Sequence, residues 1–278
     1  MGSPLMGSGL AFGHYLKYDV CMTRPLRIEY PGALYHIISR GNLKSNIYKT
    51  DRDRISFLKI LETCVTRYQW KCYTYCLMDN HYHLLIETPL GNLSKGMRYL
   101  NGVYTQKYNH NNHFVGHLFQ GRYKAVLVEK ESYFLELVRY IFLNPVKSGT
   151  VKNAYEWKWS SYRYTIGELE SPKWLNYADV LNEFSQNKKQ AVALLKKFLD
   201  ENTENPIKDI KGQIYLGREK FVKSFSQDKP VKEIPLVQQV LKQKPLKIIF
   251  KNENINENIY KAYRDHGYNI GDIAEYMG

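Results

Sequence analysis

Cysteine is scarce in this 278-residue chain: Cys21, Cys64, Cys72 and Cys76 are the four, and no two form a C-x-x-C pair. That excludes a disulfide framework or a cysteine zinc site and points to reduced thiols in a cytoplasmic protein. Long apolar runs are missing as well; no stretch approaches 18 residues, so no transmembrane helix is encoded and no membrane partner is expected. The first 21 residues have no basic segment leading into a continuous apolar core, so they do not read as a secretion signal. Met6 stands where a myristoylation motif needs Ser or Thr. Rich in Gly and Ser, residues 1–21 read as a flexible extension, and a second start at Met22 fits the organised sequence better.

Acid is the third shortage. Asp and Glu number 27 against 40 Lys and Arg, a net charge of +13. The imbalance is local: residues 1–165 carry 22 basic and 11 acidic side chains, and the remainder 18 and 16. A polyanion is the natural partner of such a field. The chain also has 24 tyrosines, 11 phenylalanines and 4 tryptophans. Cations with flat rings suit a single-stranded nucleic acid, whose phosphates attract charge and whose unstacked bases stack on aromatics. A hydrophobic share of 44% with 24% charged residues is that of a folded chain.

Periodicity predicts the order strand, helix, strand, strand, helix, strand, helix. The strands are 33–39, 70–78, 81–88 and 119–129; the helices are 51–68, one marked by Leu93, Met97, Leu100 and Tyr104, and 132–143. Asp79-Asn80 is a two-residue hairpin turn, and Pro145 stops the third helix. This order implies an α+β fold of the ferredoxin-like type, an antiparallel sheet with helices on one face. Residues 146–165 are expected to wrap back over that core. Residues 166–245 read as a helical accessory or linker region, and 246–278 as the start of a truncated helix-turn-helix.

Two constellations carry chemistry. His81 and His83 stand at i and i+2 of a strand, on one face and about 7 Å apart along the backbone, where they can share a cation. A pair of strand histidines is as often solvent-facing or structural, and a further ligand must come from elsewhere. Glu136, Tyr140 and Asn144 are spaced by four and form one helical stripe, with Val138 and Ile141 facing the sheet instead. Asn144, just before Pro145, could bring its amide oxygen to a metal. Glu136 is a possible base, though a solvated helix face explains it as well. Arg40, Lys44, Arg122 and Lys124 lie at strand ends or in adjoining loops, placed for phosphates or simply for water. Of His110, His113 and His117, spaced as for a second metal site, the preferred reading is a polar loop with His117 near the nucleic acid.

Five ordered blocks resemble the REP-associated tyrosine transposases, members of the single-tyrosine HUH superfamily. They are Arg24 to His36 (RPLRIEYPGALYH), Ser39 to Asn42 (SRGN), Met78 to His83 (MDNHYH), Gly116 to Lys124 (GHLFQGRYK) and Arg139 to Val146 (RYIFLNPV). The resemblance spans residues 22–165, and the tail resembles the helix-turn-helix of some members. It implies that His81, His83 and Asn144 hold Mg²⁺ or Mn²⁺ and that Tyr140 is the nucleophile. It further implies Arg40, Asn42, Lys44, His117, Arg122 and Lys124 as DNA contacts. The implied substrate is single-stranded DNA beside a palindromic hairpin, cleaved to a 5′-phosphotyrosine and a free 3′-OH by a monomer or homodimer in a bacterial cytoplasm, associated with the nucleoid. Phe142 departs from the histidine of many relatives and could alter metal preference. The rival expectation is a non-catalytic hairpin binder, a repressor or architectural protein. A zinc hydrolase built on the histidine pair lacks an obvious carboxylate or third histidine.

Overall fold

The computed structural model describes residues 28–201, 205–225, 245–250, 254–264, 268 and 270–277. The expected extension at 1–21, much of the connector after 225 and the turn at 265–267 lie outside these residues.

Four strands, β1 (Ala33–Arg40), β2 (Lys71–Leu77), β3 (His81–Thr88) and β4 (Lys124–Val128), form an antiparallel sheet in the order β2-β3-β1-β4. A two-residue strand, β5 (Tyr215–Leu216), joins β4 in parallel. The sheet is therefore mixed, and its fifth strand comes from the segment expected to be helical. Two residues are too few for a periodic signal; the pairing is set by Leu127 N donating to Ile214 O at 2.7 Å and Glu129 N to Leu216 O at 2.8 Å.

Helices α1 (Asp51–Tyr68) and α2 (Leu93–Asn112) cover one face. α1 begins on a capping box: Asp53 Oδ2 accepts from the Thr50 backbone at 2.9 Å while the Thr50 side chain returns the bond. Strand alternation sends Tyr35, Ile37, Tyr82, Leu84 and Ile86 into this layer, against Phe57, Leu61, Met97, Leu100 and Tyr104. At Gly96, α2 passes so close to Trp70 that a Cβ would sit 2.1 Å from its ring.

The opposite face holds helix α3 (Lys130–Lys147), so the expectation of helices on one face alone is corrected. Leu34, Leu85, Val126 and Val128 meet Phe134, Leu137, Val138 and Ile141 there. The short α4 (Tyr162–Thr165) follows, and α5 (Tyr177–Asn182) and α6 (Lys188–Asp200) extend this layer with Val180, Leu181, Ala191 and Leu195. Helix α7 (Glu219–Ser224) is preceded by Arg218, which forks onto the Glu129 carboxylate with bonds of 2.8 to 3.2 Å. Helices α8 (Leu246–Ile249), α9 (Ile255–Arg264) and α10 (Ile270–Met277) share a small apolar cluster of their own around Ile249, Ala262 and Ile273.

Three element ends differ from expectation. α3 does not stop at Leu143 but runs through Pro145, because a missing N–H in the last turn costs a single bond and Ser148, Gly149 and Thr150 re-use the carbonyls of Asn144, Val146 and Pro145. α2 continues to Asn112, placing His110 on the helix and His113 at its left-handed cap; β4 starts five residues later than expected. Among the described residues, no helix is long and apolar enough to cross a membrane.

Candidate active site

β3 and α3 build the site. On β3, His81 and His83 turn to the α3 side, and Tyr82 turns away into the other layer, as alternation requires. Their ring centroids are 4.9 Å apart. From α3, Tyr140 lays its ring edge-on to His83 at 5.6 Å and to a third imidazole, His36 of β1, at 5.8 Å. Tyr140 reaches the imidazoles from the flank of α3, only partly buried, while Val138 and Ile141 are fully buried against the sheet. Neighbouring residues are about 100° apart around a helix and residues two apart about 160°, so Tyr140 lies at the edge of the buried arc, beside Ile141 and away from Val138. Asn144, one turn on, stands near enough to both His81 and Tyr140 to bear on their protonation. One chain thus gathers the phenol, the paired imidazoles and the amide.

The electrostatics favour neutral rings. Burial lowers the His81 imidazole; Asn144 and the Asp79 charge pull the other way, and Arg40, its cross-strand partner, reinforces the lowering. His83 is pushed well below the ordinary histidine range by burial and by its histidine neighbours, and His36 down to about 3 by burial. Uncharged imidazoles keep lone pairs for a cation. Burial raises the Tyr140 phenol, and Asn144 offsets part of that. The Lys147 ammonium stands 5.8 Å from the Tyr140 ring, a neighbour that the motif reading did not single out.

The geometry at His81 also settles its tautomer. Asn80 donates from Nδ2 to the Lys44 carbonyl at 3.1 Å, so its Oδ1 faces His81 Nδ1 at 2.6 Å and must accept. Nδ1 then carries the proton and Nε2 keeps the lone pair. His83 Nε2 is buried and without a hydrogen-bond partner. Among the described residues no cluster of three or more His, Cys, Asp or Glu side chains is arranged to hold a metal. What the site offers is two imidazoles and an amide oxygen. An orphaned ring nitrogen beside that set fits a divalent cation of the Mn²⁺ or Mg²⁺ kind.

Glu136, expected as a possible base, is engaged elsewhere than at the Tyr140 hydroxyl. Its carboxylate is paired with Arg139, which also donates to the Phe198 carbonyl at 3.1 Å and stacks over the Phe198 ring at 4.0 Å. Phe142 is fully buried with its ring 5.1 Å from that of Tyr162, in the core layer rather than around the imidazoles.

The expected DNA contacts form two neighbouring groups. Arg40 is exposed at the end of β1 and donates to Gln120 at 3.0 Å; Asn42 and Lys44 are exposed in the following 3₁₀ turn. His117 and Arg122 are exposed in the loop that leads into β4, and Lys124 is exposed as the first residue of that strand. The two loops are tied side by side by a Gly41–Phe119 bridge and by Asn42 N donating to Leu118 O at 2.9 Å. Since Asn80 links the Lys44 carbonyl to His81, this basic rim adjoins the histidines.

His36 is the residue that motif reading passed over. It sits inside an apolar strand, ALYHIIS, where a lone histidine reads as filler. The register brings it to His83: Ile38 pairs with His83, and two residues back His36 lies on the same face.

Residues 30–143 match a family model described as "Transposase IS200 like". No curated protein matches the chain. Among solved structures, one described as a REP-associated tyrosine transposase bound to a REP hairpin shares 18% identity at a TM-score of 0.46, covering 54% of this chain and 89% of its own. A candidate transposase from Deinococcus radiodurans R1 shares 17% at 0.32, covering 44% and 96%. The tRNA(His) guanylyltransferase of Saccharomyces cerevisiae shares 9% at 0.34, covering 69% and 89%. Residues 30–143 are thus similar to the IS200-like transposases, over the stretch that holds the histidine pair and most of the motif blocks.

Proposed function

We propose that the chain cuts and rejoins single-stranded DNA beside hairpins through a covalent 5′-phosphotyrosine on Tyr140. The observation that carries this reading is the edge-on approach of Tyr140 to His83, with ring centroids 5.6 Å apart, within one chain.

The obstacle in phosphodiester cleavage is charge: anionic non-bridging oxygens repel an incoming oxyanion. A Mg²⁺ or Mn²⁺ ion held by His81, His83 and Asn144 would neutralise those oxygens and the charge that develops on them. The protein's own residues do the rest. Arg40, Lys44, Arg122 and Lys124 hold the backbone phosphates, and Asn42 and His117 line the same rim. Asn144 orients the Tyr140 hydroxyl. The phenol gives its proton to water, the phenolate oxygen bonds to phosphorus, and the bond from phosphorus to the 3′ oxygen breaks. That oxygen leaves, takes up a proton and becomes a free 3′-OH. A 3′-OH attacking the phosphotyrosine reverses the step, so rejoining needs no ATP.

The test incubates the full chain with hairpin-bearing single-stranded DNA and Mn²⁺. A covalent protein–DNA adduct is expected, absent from Tyr140→Phe, which still binds the DNA. An adduct that survives Tyr140→Phe, or no adduct from the parent chain on any hairpin of a randomised library, overturns the proposal. The second result leaves the hairpin-binding reading standing.

A further inference from the structure

His36 has no place in the reaction just described, yet it is the most deeply placed polar group in the site. It is fully buried, and its ring stacks on that of His83 with centroids 5.2 Å apart and planes within 19°. Its Nε2 lies 3.0 Å from His83 Nδ1, while its Nδ1 has no partner. An aliphatic side chain would fill the same space on this face, between Leu34 and Ile38, without burying a ring nitrogen that nothing satisfies. The single use the structure makes of its polarity is the bond to His83.

That bond has two neutral forms. In one, His36 Nε2–H donates to His83 Nδ1, and the His83 proton is then on Nε2, where it blocks a cation. In the other, His83 Nδ1–H donates to His36 Nε2; His83 Nε2 carries a lone pair, and the second His36 proton rests on the partnerless Nδ1. We infer that His36 is a positioning residue that accepts from His83 Nδ1 and so holds His83 in the tautomer whose Nε2 can ligate a divalent cation. It does for His83 what Asn80 does for His81, where the tautomer follows from the amide's bond to Lys44 O. A carboxylate would serve as acceptor too, but it would bring a negative charge against the cation; an imidazole leaves that charge undiminished for phosphate. The inference rests on His81 and His83 being cation ligands, as proposed above.

The experiment measures Mn²⁺ affinity of the full chain, without DNA, by the electron paramagnetic resonance signal of free Mn²⁺. His36→Phe keeps a ring to stack and removes the acceptor; His36→Gln restores an acceptor oxygen near the Nε2 position. Loss of such an outer partner weakens metal binding by about ten- to a hundredfold. That loss is expected for His36→Phe and its recovery for His36→Gln. Parent-like affinity in His36→Phe, or equal weakness in both variants, overturns the inference. His81→Ala separates the two claims. If it binds Mn²⁺ like the parent, the cation site itself fails; if it loses Mn²⁺ while His36→Phe does not, only the role of His36 fails. Should His36→Phe not fold, the nitrogen-15 imidazole spectrum of the Mg²⁺-loaded parent decides. A proton on His36 Nδ1 supports the inference, and one on His36 Nε2 overturns it.

Discussion

Helix α2 carries two glycines whose replacement by alanine should move stability in opposite directions. At Gly102 nothing lies within 4 Å of a built Cβ, and the position is exposed. Alanine there removes the entropic penalty of glycine in a helix and should stabilise by about 0.5–1 kcal/mol. At Gly96 the same methyl would stand 2.1, 2.5 and 2.9 Å from Cζ2, Cη2 and Cε2 of Trp70. The indole cannot swing aside cheaply: it is buried, and its Nε1 donates at 2.8 Å to Asn92 Oδ1, whose own Nδ2 donates to Tyr68 O. Overpacking of this kind costs about 1–3 kcal/mol, and a clash with an anchored ring belongs at the upper end. Set against the same helix gain, Gly96→Ala should lose about 2 kcal/mol. Urea unfolding of both variants, each with the parent's m-value, measures the pair. At this size about 2 kcal/mol corresponds to a fall in Tm of roughly 4–8 °C. The reasoning fails if Gly96→Ala is as stable as the parent, or if both variants shift the same way. Because α2 covers the face opposite Tyr140, neither change should alter cleavage per folded molecule.

Other outcomes follow from the site and its surroundings. Asn80→Ala removes the bonds to His81 Nδ1 and Lys44 O, and Mn²⁺ affinity should fall about tenfold or more, read by titration with the fold checked by circular dichroism. Chelation by EDTA should abolish adduct formation and spare hairpin binding in a mobility-shift assay, since the basic rim does not depend on the cation. Burial by itself would raise the Glu87 carboxyl, but bonds from Lys130 and Tyr73 and the charges of Lys130 and Lys71 hold it below its ordinary value. A carboxyl depressed in the folded state contributes stability that is present above the unfolded value near 4.3 and is lost as pH falls through the folded one. Glu87→Gln should therefore flatten the acid limb of a Tm-against-pH curve, below the unfolded carboxyl's range.

The sheet and its first two helices were legible because their signals are local: a short apolar run in β1, alternation in β3, apolar residues at helical spacing in α1 and α2, Asp79-Asn80 between two strands. The histidine pair was legible for the same reason, as both residues lie on one strand. What the sequence did not reveal depends on register. His36 becomes a neighbour of His83 only once β1 and β3 are paired, and β5 is too short to announce itself. The position of Tyr140 needed the crossing of α3 over the sheet, which spacing by four does not determine. Glu136 shows the cost of that gap: as a member of a helical stripe it reads as a base, and three residues along, Arg139 claims it.

The union of phenol and imidazoles inside a single polypeptide has a genetic counterpart. Two dead variants, one lacking the Tyr140 hydroxyl and one lacking the His83 ring, could rescue each other when mixed only if helices were traded between molecules. On the proposed chemistry, with both groups contributed by the same copy, the mixture is expected to stay dead.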